Sequence, residues 1–226
     1  MADGLFAREI KAIDAFTIQD IGIPSMVLME RAALAVSQFV LENTVEETVN
    51  IFCGPGNNGG DGIAVGRILS QAGRNVTIYM IGDFSKATEE TTAQLRIAKN
   101  LKMSVSEKRY IGKIEKDSVI VDALFGIGLN REVEEPFLSV IKAINLSAAT
   151  KVSLDVPSGL SADKGECFNE GIKANFTASI GFWKIGFNHP KAKHYTGKVS
   201  VLDIGYPSID YYSHILEKER KIDEPF

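Results

Sequence analysis

From residue 49 onward, short β-branched runs alternate with segments of helical period, and this alternation limits the possible folds more than any other feature. Val49–Cys53, Asn75–Ile81, Ser118–Leu124 and Lys151–Val156 read as buried strands, and Phe176–Phe182 and Lys198–Ile204 as two more. Between them, Asp61–Ala72 puts Ile63, Val65, Ile68, Leu69 and Ala72 on one helical face. Thr88–Leu101 and Pro136–Leu146 are further expected helices, the latter with proline in its first turn. Strands that alternate with helices imply right-handed βαβ units and an α/β fold whose mostly parallel sheet is covered on both faces. No clear helix separates the last two strands, so an antiparallel or meander edge is expected there.

Ahead of the alternating unit lies a helical prelude, Phe6–Asn43, broken at Gly22-Ile23-Pro24. Its second piece, Met26–Val40, is apolar around well over half its circumference, which suits burial against the sheet or against a second subunit. The tail from 207 to 226 becomes charged and is expected to fray. No repeat or Pro/Gly/Ser linker divides residues 1–226, so one domain is expected. A chain of 226 residues can bury about 70% of its surface, enough for a core without staples. The net charge of −4, with no long run of like charges, disfavours a nucleic acid partner. Cys53 and Cys167 form no CxxC pair and suit reduced thiols in a cytoplasmic protein. No apolar run has the length of a membrane span.

In an open α/β sheet, ligands bind beyond the carboxyl ends of the strands, and three strand ends here are chemically unusual. GPGNNGGDG (54–62) has five glycines in nine residues, which lets backbone N–H groups come close to a ligand at a helix start. It contains GxGxxG, and Asp83 lies about where a ribose-binding acid would stand, but no Gly-Lys-Ser/Thr follows. Asn57, Asn58 and Asp61 are the unusual content, with Asp61 as helix N-cap the bland alternative. VDALFGIG (121–128) ends a strand in Asp122 before a Gly-x-Gly turn, and LDVPSG (154–159) ends another in Asp155 before Pro157 and Ser158. Ser158 is no nucleophile elbow, because GxSxG is absent.

Neighbouring strands lie about 4.8 Å apart, so these aspartates, amides and hydroxyl are expected to converge on one cleft. Such a cluster suits acid–base chemistry and offers hard oxygen ligands with little charge, which fits a monovalent cation better than a divalent one. His189 and His194 lack metal-ligating neighbours and read as loop residues. Lys184, Lys191, Lys193 and Lys198 read as a solvated face, with a substrate-phosphate contact as the alternative.

These segments, in this order, resemble the NAD(P)H-hydrate epimerase family, the YjeF N-terminal domain. LMERA (28–32), GPGNNGGDG (54–62), VDALFGIGL (121–129), SLDVPSGL (153–160), WKIG (183–186) and TGKVSVLDIG (196–205) carry the likeness to about residue 207. The resemblance implies a three-layer α/β/α Rossmann-like fold, usually a homodimer, that interconverts the R and S hydrates of NADH and NADPH (NADHX and NADPHX). The family's substrate loop matches Asn57, Asn58, Gly59, Gly60 and Asp61. Its second loop matches Gly126, Ile127, Gly128, Leu129, Asn130, Arg131 and Glu132, and its substrate-contacting aspartate matches Asp155. Its potassium ligands match Asn58, Asp122 and Ser158. Ile127, Ala33 and Glu135 depart from the family's usual threonine, glycine and glycine.

The resemblance further implies an ADP/ATP-dependent dehydratase as functional partner, fused or separate. The hydrate carries its hydroxyl on a carbon beside the ring nitrogen, so epimerisation breaks and re-forms that C–O bond, and Asp155 is the expected group to give and take the proton. An NAD-dependent oxidoreductase using GPGNNG with Asp83, and a non-catalytic binding module of the same fold, are the alternatives.

Overall fold

The computed structural model describes residues 4–107 and 114–221. The strand runs assemble into one seven-stranded sheet: β1 Thr48–Cys53, β2 Asn75–Met80, β3 Ser104–Ser106, β4 Ser118–Ala123, β5 Thr150–Leu154, β6 Phe176–Ile180 and β7 Lys198–Leu202. The order is β3-β2-β1-β4-β5-β6-β7 and every pairing is parallel. The order reverses between β1 and β4, so the switch point of the sheet lies where two of the unusual strand ends meet.

Helices α1 Ala7–Gln19, α2 Ser25–Asn43, α3 Asn57–Gln71, α4 Glu89–Asn100, α5 Phe137–Leu146, the single turn α6 Lys193–Thr196 and α7 Ser213–Lys221 complete the chain. Alternate strand residues set the two faces. Val49, Ile51, Val119 and Val121 meet Val36 and Val40 of α2, Val65 and Leu69 of α3 and Ala98 of α4. Phe52 and Ile120 face the other way, onto Val140, Ile141 and Ile144 of α5. The result is the three-layer α/β/α architecture that was expected.

Two expectations are corrected, and a third, burial of α2 against the sheet or a second subunit, is met on the sheet side. The β6–β7 edge is parallel, because residues 181–197 form a crossover through two 3-10 turns and α6, long enough for a parallel return without a full helix. The tail does not fray through Lys221: Tyr212 is fully buried, its hydroxyl lies 2.9 Å from Thr17 Oγ1, and Arg220 pairs with buried Glu9 at 2.7 Å. The apolar face of α2 is largely used within its own chain, with Leu28, Met29, Ala32, Ala33, Val36, Phe39 and Val40 buried, while Val27 at 46% and Leu34 at 52% stay exposed. Among the described residues no helix is long and apolar enough to cross a membrane.

Candidate functional site

A cleft of about 600 Å³ opens at the carboxyl ends of the central strands, and all three unusual segments contribute to its wall. The glycine-rich segment is less of a loop than its composition suggests. Helix α3 starts at Asn57 with Gly56 as N-cap, so Asp61 sits in the second helical turn and is not the cap. Glycine makes the early start possible, since a Cβ on Gly59 would lie 1.8 Å from the Gly54 carbonyl oxygen. Only a bare backbone lets this first turn press on the strand end. Asn57, Asn58 and Asp61 line the cleft, whereas Gly59 and Gly60 are buried and do not. Burial raises the Asp61 carboxyl well above the usual carboxylate range, and the negative charges of Asp155 and Asp14 add to the shift.

Asp122 ends β4 opposite Ser153 of β5 and is fully buried. Its Oδ1 accepts from Ser158 Oγ at 2.6 Å and from the Leu124 N–H at 3.3 Å. Its Oδ2 accepts from Ser153 Oγ at 2.8 Å and from the Ser158 N–H at 2.9 Å. Burial pushes its carboxyl up, while these donors, Ser158 first, pull it back. Among the described residues no Lys or Arg pairs with it, and no cluster of three His, Cys, Asp or Glu forms a metal site. Ser158 Oγ also accepts from the Phe125 N–H at 3.0 Å and lies 3.3 Å from the Phe125 carbonyl oxygen. The amide of Asn58 is buried with its Nδ2 unpartnered. A single buried carboxylate, a hydroxyl, a carbonyl and the Asn58 amide oxygen form an oxygen set that fits a monovalent cation in hardness and charge, whereas the unpartnered Asn58 Nδ2 is a hydrogen-bond donor.

Asp155 ends β5 differently. Its backbone is left-handed, at φ 64°, a region that aspartate tolerates better than most side chains. Oδ2 accepts from the Ile127 N–H at 3.3 Å, and Oδ1 pairs with the ammonium of Lys184. Gly126 stands between this carboxylate and Asn58. A Cβ there would lie 3.0 Å from Asp155 Oδ2 and 3.3 Å from Asn58 Oδ1, so glycine leaves a gap between the two that a substrate atom can occupy.

Several expected residues lie elsewhere. Gly126, Ile127, Gly128, Leu129 and Arg131 line the cleft, but Asn130 and Glu132 do not. Lys184 is fully buried and not part of a solvated face, while Lys191, Lys193 and Lys198 are exposed as expected. Lys191 pairs with Glu166 at 3.0 Å, and the Nδ1 of His189 accepts from the Lys191 N–H. Asp83 is exposed and turns on Ser85, whose hydrogen bonds hold its carboxyl low; it does not reach the cleft.

Sequence reasoning missed the opposite wall. Asp14 of α1 accepts from the Tyr206 hydroxyl at 2.9 Å, and both line the cleft beside Leu28, Met29 and Ile204. Burial raises Asp14 as well. The signal was present only in part, in the LMERA segment, since nothing local ties α1 to residue 206.

The sequence profile described as YjeF-related protein N-terminus matches residues 25–186. The chain is 40% identical over 215 residues to a protein of Levilactobacillus brevis named NAD(P)H-hydrate epimerase, covering 95% of this chain and 99% of that one. A Limosilactobacillus fermentum protein of the same name is 39% identical over 198 residues, with 87% and 94% covered. Among solved structures, yeast ynu0 superposes with a TM-score of 0.75 at 26% identity, covering 88% of this chain and 86% of that one.

Proposed function

The chain belongs to the family of YjeF-related protein N-termini, and on that premise we propose that it is an NAD(P)H-hydrate epimerase, an isomerase that interconverts the R and S forms of NADHX and NADPHX. The observation that carries the reading is the pairing of Asp155 and Asp61 in one cleft, with the Gly126 gap beside them. Loss of the ring hydroxyl needs a proton donor, and addition of water to the other face of the resulting iminium ion needs a proton acceptor. Two carboxyls in one cleft, one beside a buried ammonium and one without a cationic partner among the described residues, can divide these two tasks. Asp155 faces a buried ammonium and serves as the carboxylate that takes the proton from the incoming water. Asp61, protonated by burial and by its acidic neighbours, gives its proton to the departing hydroxyl. One R-to-S turnover leaves Asp155 protonated and Asp61 ionised; return of that proton to Asp61 through solvent resets the pair, so no net proton is consumed.

Asn57, Asn58, Ile127, Gly128, Leu129 and Arg131 are proposed to hold the rest of the nucleotide, with Arg131 as a cation for its phosphates. Asn58, Asp122 and Ser158 are proposed to hold a monovalent cation, potassium being our choice. The wholly buried carboxylate of Asp122, which pairs with no Lys or Arg among the described residues, supports this. When bound, such an ion would neutralise Asp122 and add positive charge beside the substrate's oxygens. We further propose a cytoplasmic homodimer joined through Val27 and Leu34 of α2, working with a hydrate dehydratase. The test of activity is incubation with pure R-hydrate and chromatography for the S form. The oxidoreductase alternative requires Asp83 on a ribose, and its position outside the cleft does not support it.

A further inference from the structure

Strands β5 and β6 lie side by side and end in the same way. The Val156 N–H donates to Leu154 O at 2.7 Å, closing a three-residue turn centred on Asp155 at φ 64°. The Phe182 N–H donates to Ile180 O at 2.7 Å, closing a second such turn centred on Gly181 at φ 70°. Glycine enters this region freely, whereas a residue with a side chain persists there only where its surroundings hold it. Something must therefore hold Asp155.

Lys184 is the residue that meets it. The ammonium is fully buried and donates to Ile180 O at 2.9 Å, Phe182 O at 3.1 Å and Ser179 Oγ at 3.0 Å. The first two acceptors are the carbonyls on either side of the Gly181 turn. Ser179 is itself fixed by donating to Phe182 O at 2.7 Å. This cage leaves the ammonium no freedom, and its fourth neighbour is Oδ1 of Asp155. A buried ammonium is costly to place unless a counter-charge meets it, and the cleft carboxylate is the only acid within ion-pair reach of it among the described residues.

We infer that Lys184 is a positioning residue for the reaction: caged by the Gly181 turn, it pins Oδ1 of Asp155 so that Oδ2, held by the Ile127 N–H, borders the gap left by Gly126. This rests on the epimerase reading. Placement errors of about 1 Å at a reacting group cost on the order of 10²-fold in rate. Lys184→Met is therefore expected to lower kcat for R-to-S epimerisation by about 10- to 100-fold, with KM changed by less than about threefold.

The decisive comparison is between Asp155→Asn and the double variant Asp155→Asn/Lys184→Met. The double variant leaves no unpaired charge in the core, so it remains informative if Lys184→Met alone fails to fold. A positioning residue has nothing left to position once the carboxylate is gone, so the two should turn over equally. A further loss of more than about threefold in the double variant would show a role independent of Asp155 and overturn the inference, as would a folded Lys184→Met with wild-type kcat. A wild-type chain inert toward the hydrate would overturn the epimerase reading itself, and that control separates the two failures.

Discussion

Asp122 and Asp155 stand near the ends of neighbouring parallel strands, Asp155 two residues beyond the register partner of Asp122, in segments as similar as VDALFG and LDVPSG, yet the fold gives them opposite circumstances. Asp122 is sealed in, with both oxygens accepting from donors of its own chain and, among the described residues, no Lys or Arg paired with it. Asp155 keeps 13% of its side chain open to the cleft, stands on a left-handed backbone and faces a buried ammonium. The lesson is that the type of residue at a strand end says only that a carboxylate is available. Whether it serves as a structural anion, an ion ligand or a reacting group depends on what meets it from other strands. Here those partners are Ser153 and Ser158 for one, and Lys184 and Ile127 for the other.

The contrast breaks most visibly at Gly126, which separates Asp155 from Asn58. Gly126→Val should keep the fold, since no positive φ is required there, but fill the gap and lower epimerisation by about 10²-fold or more. Turnover near the wild-type rate would mean that the substrate does not pass between the two side chains.

Stability should separate the two aspartates next. In Asp122→Asn the new amide nitrogen points at groups that all donate, so the variant should lose about 2–4 kcal/mol of unfolding free energy. Asp155→Asn keeps an acceptor for Lys184 but removes the counter-charge of a fully buried ammonium, so its loss should be the larger of the two, about 3–5 kcal/mol. Urea unfolding of both variants measures the difference, and equal losses would contradict it.

A smaller effect concerns the ion. Potassium should raise the melting temperature of the wild type by mass action, by a few degrees at saturating salt, with sodium at equal ionic strength as control. Ser158→Ala and Asp122→Asn should remove the potassium-specific part. An equal response to both salts in every variant would leave Asp122 as a purely structural anion.

The smallest effect is in pH. The folded chain holds the Asp61 and Asp122 protons more tightly than the unfolded chain does. Their contribution to stability is therefore complete below the ordinary carboxylate range and is lost as pH rises through their raised folded values. Asp61→Asn should flatten its share of that decline as pH rises above the ordinary carboxylate range, as read from urea midpoints. An unchanged slope would remove Asp61 as the proton-carrying partner.

Much of this was legible before any coordinates. The alternation of strands and helices fixed the class and layering, because the periodicities are local and strong, and the three motif segments do meet at one sheet edge. What the sequence concealed depends on contacts between distant residues. Asp61 looked like a cap because five glycines read as loop, and only the close approach of Gly59 to Gly54 O explains the earlier helix start. Lys184 looked solvated beside Lys191 and Lys193, because nothing local reveals the carbonyl cage of the Gly181 turn. Asp14 and Tyr206 lie 192 residues apart, and the C-terminal helix read as a charged tail because its anchors, Thr17 and Glu9, are at the other end of the chain.

The central claim is that Asp155 is the reacting carboxylate of an epimerase, and it is tested most directly by following pure R-hydrate to its S form by chromatography with the wild type and with Asp155→Asn, both shown to be folded. The account predicts rapid equilibration by the wild type and a rate about 10²-fold or more lower for the variant. Near-equal rates in the two proteins would contradict it and transfer the proton chemistry to Asp61.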